Sequence, residues 1–256
     1  MIEARRDGAV MTITLDRPEK KNALTLAMRE ELTRAFVEAQ SDDAVRAVVL
    51  AARGDSFCAG ADVESMGRDD VKSARHRLKH HAHGMIRALY DIEKPVIAAV
   101  RGTAAGIGWS LALACDLTIA SETARFSAIF ARRGLAPDGG CAFFLARLIG
   151  LARAREIVFS TRFVGAEEAR GLGIVLEVIP DAELEARAQA RAAELATQPT
   201  LALGMAKRML QRALSPGLED FLEYEAVVQT QMMQSADFKE GVASFREKRP
   251  ARFEGR

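Results

Sequence analysis

Short apolar runs alternate with helical segments along residues 9–179, and this alternation constrains the fold more than any other feature. The runs resemble buried strands, and glycine, proline or charged residues end them. They are AVMTITL (9–15), VRAVVLA (45–51), PVIAAV (95–100), LTIA (117–120) and GIVLEVI (173–179). A helix between two strands allows them to pair in parallel, so the pattern predicts a layered α/β fold.

Helical spacing fills the segments between these runs and the whole of the C-terminal part. The spacing predicts helices over residues 26–40, capped by Thr25, over 71–91, over 109–115 and beginning after Asp138. From residue 181 onward no strand is predicted. Helices there cannot bury their apolar faces alone, so we expect them to pack on the core or on another subunit.

Composition excludes several classes of protein. Thirty-six basic and thirty-five acidic residues give a net charge of +1, which argues against a nucleic-acid-binding protein. Cys58, Cys115 and Cys141 are widely spaced and odd in number, as in a cytosolic protein with reduced thiols. No signal-peptide core and no run of about 20 apolar residues is present. We therefore predict a cytoplasmic protein without a membrane partner.

The stretch GTAAGIGWSLALACD (102–116) combines Gly102, Gly106 and Gly108 with the start of a predicted helix. Such a loop can hold an anion on its backbone N–H groups. It lacks the third glycine of a dinucleotide-binding loop, and the chain has no P-loop motif. The glycines can also serve only close packing of a helix on a strand.

A second glycine turn, SFCAGADV (56–63), follows another predicted strand. One N–H group from each loop could converge on a single oxygen. That arrangement is an oxyanion hole, which stabilises negative charge developing on a carbonyl oxygen.

These two segments resemble the signature motifs of the crotonase, or enoyl-CoA hydratase/isomerase, superfamily. Three more segments resemble that family in the same order, so the resemblance covers essentially the whole chain. They are LDRPEKKNAL (15–24), GLAPDGG (134–140) and FREKRPARF (245–253).

The resemblance implies a spiral of ββα units, with a core over residues 1–195 and a helical oligomerisation region over 196–256. It also implies a homotrimer or hexamer, a coenzyme A thioester as substrate and no further cofactor. The oxyanion hole would use the N–H groups of Ala61 and Ile107. Ile107 departs from the family's usual glycine, but any residue except proline can supply an N–H group.

Family hydratases use two glutamates, whose positions are occupied here by Ser110 and Phe130. Serine needs an activating neighbour to act as a base, and phenylalanine has no proton to transfer. The resemblance therefore disfavours hydration by the two-glutamate mechanism.

Asp138 lies where family isomerases, including the phenylacetate-pathway isomerase of ring-epoxide CoA thioesters, carry a catalytic acid/base. A double-bond shift moves one proton, so one carboxylate can suffice. The same Pro-Asp-Gly-Gly sequence is also a common helix-capping turn. We predict an isomerase, with a hydratase, a dehalogenase variant or a silent acyl-CoA-binding protein as alternatives.

The histidine-rich segment RHRLKHHAHG (75–84) has three interpretations. Family dehalogenases use the loop aspartate as a nucleophile helped by a histidine, for which His83 is the candidate. His76 and His80 are spaced for a metal site, although no acidic residue or cysteine adjoins them. A solvated basic helix that also includes His81 is the simplest interpretation, and we predict no metal.

The resemblance implies further substrate contacts, for which surface or core packing is the alternative. Lys20, Lys21 and Ala23, together with Phe245 and Lys248 from a neighbouring subunit, would contact coenzyme A. Trp109 and Phe130 would line the acyl pocket, and Asp62 would position its loop rather than react. The predicted substrate-binding set is completed by Ala59, Gly106 and Ser110.

Overall fold

The structure is a computed structural model and describes residues 1–62 and 70–256. Its strands are β1 Ile2–Asp7, β2 Val10–Leu15, β3 Ala47–Ala52, β4 Val96–Val100, β5 Thr103–Ala105, β6 Leu117–Ser121, β7 Arg125–Ser127, β8 Val164–Gly165 and β9 Glu177–Ile179. Six form one sheet in the order β1-β2-β3-β4-β6-β9, and β5, β7 and β8 form a second. All neighbours in the larger sheet are parallel except β1 and β2, which confirms the predicted α/β fold.

The α-helices follow the predicted pattern closely. They are α1 Leu26–Ser41, α2 Val71–Arg77, α3 His83–Tyr90, α4 Ile107–Ala114, α5 Cys141–Ser160, α6 Ala166–Gly171, α7 Leu184–Ala196, α8 Thr200–Arg212, α9 Leu218–Met232 and α10 Ala236–Glu247. A π-helical turn, Leu78–Ala82, joins α2 to α3. Thr25 caps α1 by accepting a hydrogen bond from the Met28 N–H at 3.2 Å.

Alternate residues of the central strands serve two separate cores. On one face Val48 and Leu50 of β3 pack in the main core with α1, α3 and α4. On the other face Val49 packs against α7, whose Leu184, Ala188, Ala192 and Ala196 recur at four-residue intervals. The small alanine side chains bring α7 close to the sheet.

Two strand predictions need correction. The predicted strand over 173–179 is shorter, because Gly173 has φ +78° and only Glu177–Ile179 pairs with β6. Strand β1 was not predicted, since five of its six residues are exposed and carry no apolar alternation. The boundary at residue 195 stays a prediction.

Candidate active site

The two glycine-rich turns meet just beyond the carboxyl ends of β3 and β4. Because these strands are adjacent and parallel, the chain leaves both at the same edge of the sheet. Beyond that edge the Cys58 N–H donates to the Thr103 carbonyl, and the Ala105 N–H donates to the Cys58 carbonyl, both at 2.9 Å. These bonds hold the segments side by side. The last residue of the first motif, Val63, lies outside the described residues.

The pairing places Ala61 and Ile107 in equivalent positions, each three residues after the paired Cys58 and Ala104. Ile107 is the first residue of α4, so its N–H has no acceptor within the helix. Within residues 1–62 and 70–256, the Ala61 N–H likewise donates to no acceptor. Neither N–H group is therefore used by another described residue, as an oxyanion hole would require.

Three glycines allow the two turns to lie this close together. Gly60 and Gly106 have φ values of +110° and +56°, which strain other residues. A Cβ on Gly60 would lie 3.0 Å from the Ala105 carbonyl oxygen, and one on Gly108 would lie 2.7 Å from the Cys58 Sγ. The glycines thus serve close packing of the two segments, and anion binding by the neighbouring N–H groups stays a prediction.

The loop that carries Asp138 rests on the first turn of α4. Ser110 is completely buried, and its hydroxyl donates to the Asp138 carbonyl at 3.0 Å. A Cβ on Gly139 would lie 2.9 Å from the Ser110 Cβ and 3.0 Å from the Ile107 Cγ1. Asp138 is therefore fixed beside one of the two candidate oxyanion donors.

The Asp138 carboxylate is held in an environment suited to proton transfer. Its Oδ1 atom is buried and has no hydrogen-bond partner among the described residues. Burial raises the pKa of Asp138 above its ordinary value, although the charges of Arg29 and His83 oppose the rise. An unpaired carboxylate with a raised pKa is a stronger base than one on the surface.

The charges of Arg29 and His83 both favour the ionised form of this carboxylate. His83 begins α3 and is half-buried, and its role as the histidine that assists the aspartate stays a prediction. Arg29 lies on the buried side of α1, and the sequence analysis missed it. An arginine among the charged residues of a surface helix gives no sign that its side chain points inward.

The capping role of Asp138 takes a specific form in the structure. The Cys141 N–H, at the start of α5, donates to the backbone carbonyl of Asp138 at 3.1 Å, and no side-chain cap is present at that helix. The carboxylate is thus not used as the cap.

The two hydratase glutamate positions are occupied by side chains without acidic character. Ser110 is buried under the Asp138 loop, and its hydroxyl also lies 3.3 Å from the Gly106 carbonyl. Phe130 is buried, and its ring atoms would lie 3.8 Å from a Cβ on Gly106. Phe130 therefore places an apolar edge next to the glycine turn that precedes Ile107.

Two cysteines near the site are unsuited to nucleophilic chemistry. Burial raises the pKa of Cys58 to about 12 and that of Cys141 to about 12, so both remain neutral thiols near neutral pH. All three cysteines are free.

Several residues of LDRPEKKNAL and SFCAGADV make structural contacts. The Ala59 N–H donates to the Lys21 carbonyl at 2.9 Å. This bond ties the LDRPEKKNAL segment to the glycine turn over residues 56–62, which we call the oxyanion loop. Asp62 is buried and pairs with Arg17 at 2.6 Å, in agreement with a positioning role. Lys20 and Lys21 are exposed, and Ala23 is half-buried beside them.

The remaining predicted residues lie in the core or among the C-terminal helices. Trp109 is completely buried, with its ring centroid 5.8 Å from that of Phe126. Phe245 is 84% exposed and lines a cavity of about 590 Å³ between α8, α9 and α10, and Lys248 ends α10. Their contacts with coenzyme A stay predictions.

Asp116 links two elements of the fold. Its Oδ2 accepts hydrogen bonds from the Val96 N–H and from the Lys207 ammonium, both at 2.8 Å. It thereby joins β4 to α8 at the point where α4 gives way to β6.

The described part of the chain contains no cluster of three His, Cys, Asp or Glu side chains arranged to hold a metal ion. The ring centroids of His76 and His80 lie 4.1 Å apart.

Among the described helices, none is long and apolar enough to cross a bilayer.

Comparison with known proteins agrees with this arrangement. The family model "Enoyl-CoA hydratase/isomerase" matches residues 5–256. The chain is 43% identical over 244 residues to a probable enoyl-CoA hydratase of Rhodobacter capsulatus, covering 95% of this chain and 94% of that protein. It is 36% identical over 253 residues to the 1,2-epoxyphenylacetyl-CoA isomerase of Escherichia coli, covering 98% and 97%.

A solved structure supports the same assignment. The crystal structure of a putative enoyl-CoA hydratase/isomerase from Mycobacterium abscessus superposes with a TM-score of 0.94 at 36% identity, covering 100% of both chains. The fold is therefore the crotonase fold, as the sequence predicted. This chain belongs to the enoyl-CoA hydratase/isomerase family, within the crotonase superfamily.

Proposed function

We propose that this protein is an enoyl-CoA isomerase, which moves a carbon–carbon double bond in an acyl-CoA thioester by means of one carboxylate. The observation that carries the proposal is the buried, unpaired Oδ1 of Asp138, fixed by Ser110 beside the first turn of α4. The family relationship supports a thioester substrate.

The reaction needs two functions. The Ala61 and Ile107 N–H groups donate to the thioester oxygen and stabilise the enolate that forms when a proton leaves the carbon chain. Asp138 takes that proton from one carbon and returns it, as the carboxylic acid, to a carbon two bonds away. The double bond shifts, no atom is gained or lost, and the carboxylate is regenerated.

Hydration requires a second group that activates water. At the positions of the hydratase glutamates the chain has Ser110, whose hydroxyl is hydrogen-bonded to backbone, and Phe130. Neither can activate water as a carboxylate would. The same geometry therefore favours proton transfer within the substrate.

Dehalogenation is a second candidate because His83 lies close enough to Asp138 for its charge to lower that carboxyl's pKa. In that reaction Asp138 would attack a halogen-bearing carbon and release halide, and water would then hydrolyse the ester.

The decisive experiment compares wild-type protein, Asp138→Asn and Asp43→Asn with 3-enoyl-CoA, 2-enoyl-CoA and 4-chlorobenzoyl-CoA. Asp43 is an exposed aspartate on the loop after α1 and serves as the control. We expect the wild type and the control to interconvert the enoyl-CoA isomers, and Asp138→Asn to lose at least about 100-fold in kcat, as for a general acid/base.

Other products would refute this assignment. Water addition without double-bond movement would identify a hydratase, and chloride release would identify a dehalogenase. Full isomerase activity of Asp138→Asn would remove Asp138 from the mechanism. Binding of acyl-CoA by calorimetry without any turnover would identify a silent binding protein.

A further inference from the structure

Arg29, a buried arginine whose charge acts on Asp138, neither gives nor takes the proton in the proposed reaction. Arg29 is 9% exposed, and its Nε is buried without a hydrogen-bond partner in residues 1–62 and 70–256. Buried arginines are normally paired, because an unpaired buried donor keeps its full desolvation penalty. The Arg29 Nε is therefore a donor without a partner in the part of the chain that the structure describes.

Arg29 belongs to α1, whose N-terminal end adjoins the turn that carries Ala61. Leu24, just before α1, forms a parallel bridge with Ala61, and Arg29 lies one helical turn after Thr25. Helical side chains lean toward the N-terminus of their helix, so Arg29 leans toward the Leu24–Ala61 pair. Its positive charge also favours the ionised forms of Cys58 and Asp138.

An unsatisfied donor and an unsatisfied acceptor thus occur on two residues whose charges act on each other. The donor is the Arg29 Nε, and the acceptor is the Asp138 Oδ1. Both residues belong to the described ranges, and no hydrogen bond or ion pair joins them. A polar group brought by a ligand could satisfy the donor without disturbing the carboxylate that moves the proton.

We propose that Arg29 donates a hydrogen bond to an oxygen on the acyl group, so that the preferred substrate is an oxygen-bearing acyl-CoA rather than a plain hydrocarbon enoyl-CoA. This inference rests on the proposed acyl-thioester function. A guanidinium carries several donors in a rigid plane, which suits a hydroxyl, carbonyl or carboxylate oxygen. A hydrocarbon chain would leave the donor unpaired and would be selected against.

The test uses pairs of acyl-CoA thioesters of equal chain length, one plain and one with a terminal hydroxyl or carboxylate. The proteins are the wild type, Arg29→Met, Arg29→Lys and the control Arg34→Met, which removes an exposed arginine from the same helix. Dissociation constants are measured by calorimetry with saturated thioesters, which cannot isomerise. The readout therefore stays valid even if the isomerase proposal fails.

We expect the wild type and Arg34→Met to bind an oxygen-bearing thioester about 10- to 100-fold more tightly than its plain counterpart, as for a hydrogen bond to a charged group. Arg29→Met should abolish this ratio, and Arg29→Lys should restore part of it. The carboxylate and hydroxyl series identify which oxygen is preferred.

Two results would overturn the proposal. One is equal binding of every pair by the wild type, a measurement that does not depend on whether the variants fold. The other is an equal loss of affinity for both members of a pair in folded Arg29→Met, as judged by circular dichroism. That loss would mean that Arg29 supports the site without contacting the acyl group.

Discussion

At the scale of single residues, the site combines charges that are costly to bury. Asp138 has a raised pKa because burial removes water from its carboxylate, and Arg29 has a lowered pKa for the same reason. Each is weakly stabilised by the other's charge, but no ion pair forms between these two described residues. Such groups are retained at active sites where their reactivity outweighs their effect on folding.

The raised pKa of Asp138 predicts how activity depends on pH. Only the ionised carboxylate can accept a proton, so kcat/KM should fall on the acid side, with a midpoint above the ordinary aspartate value of 3.8. Arg29→Met removes a charge that favours ionisation, so it should move this midpoint to higher pH. Rates measured between pH 4 and pH 8 test both statements, and an unmoved midpoint would contradict the electrostatic link.

The same shift predicts a stability effect. Because the pKa is raised in the folded state, the favourable contribution of Asp138 is present below 3.8 and is lost as pH rises through the raised pKa. Asp138→Asn should therefore raise Tm at pH 7, by about 2–4 °C for each kcal/mol relieved. The gain should shrink toward pH 4 when both proteins are melted in parallel. A lower Tm for Asp138→Asn at pH 7 would be the contrary result.

At the scale of secondary-structure elements, the site depends on the contact between the oxyanion loop and α4. Gly108→Ala would place a Cβ 2.7 Å from the Cβ and Sγ of Cys58. The backbone of Cys58 is itself held by hydrogen bonds to Thr103 and Ala105. We expect a loss of about 1–3 kcal/mol in unfolding free energy from overpacking. We also expect kcat/KM to fall by about 100-fold as the two N–H groups separate.

Gly171→Ala is the matched control, since a Cβ there meets nothing within 4 Å. It should leave both Tm and kcat/KM close to those of the wild type. Thermal melts and initial rates on the three proteins measure both effects. Wild-type activity in Gly108→Ala would show that the loop spacing is not critical.

The elements that the sequence predicted well are those with a strong period and a buried face. Strand β4 is buried at every residue, and α1 buries Met28, Leu32 and Phe36 at four-residue intervals. The short strands β5, β7 and β8 have two or three residues each, too few for a period, and they form through tertiary contacts.

The residues of the candidate site also divide into those that a sequence motif marks and those that only tertiary packing brings in. Ala61, Ile107 and Asp138 could be predicted because each lies in a glycine-containing segment that resembles a family motif. The charge of Arg29 acts on Asp138 from α1, and only the packing of that helix on the core brings the two residues near each other. A single sequence carries no signal of such contacts between distant elements.

At the scale of the whole molecule, the C-terminal helices expose a large apolar area. Leu210, Leu214 and Leu218 are 75%, 69% and 73% exposed, and Phe245 is 84% exposed. Apolar cavities of about 590 and 550 Å³ border the same helices. Soluble monomers rarely leave large apolar patches uncovered, so we expect these helices to pack against other copies of the chain.

The corresponding prediction concerns the mass of the protein in solution. Light scattering coupled to size-exclusion chromatography should give three or six times the chain mass for the wild type. Leu218 and Leu222 lie one turn apart on α9 and are both exposed, so Leu218→Asp combined with Leu222→Asp should place charge in the interface and reduce that mass. Val37→Asp, at an exposed apolar position of α1, should not. A monomeric wild type would refute the prediction. An unchanged mass in the double variant would show that the interface does not include this face of α9.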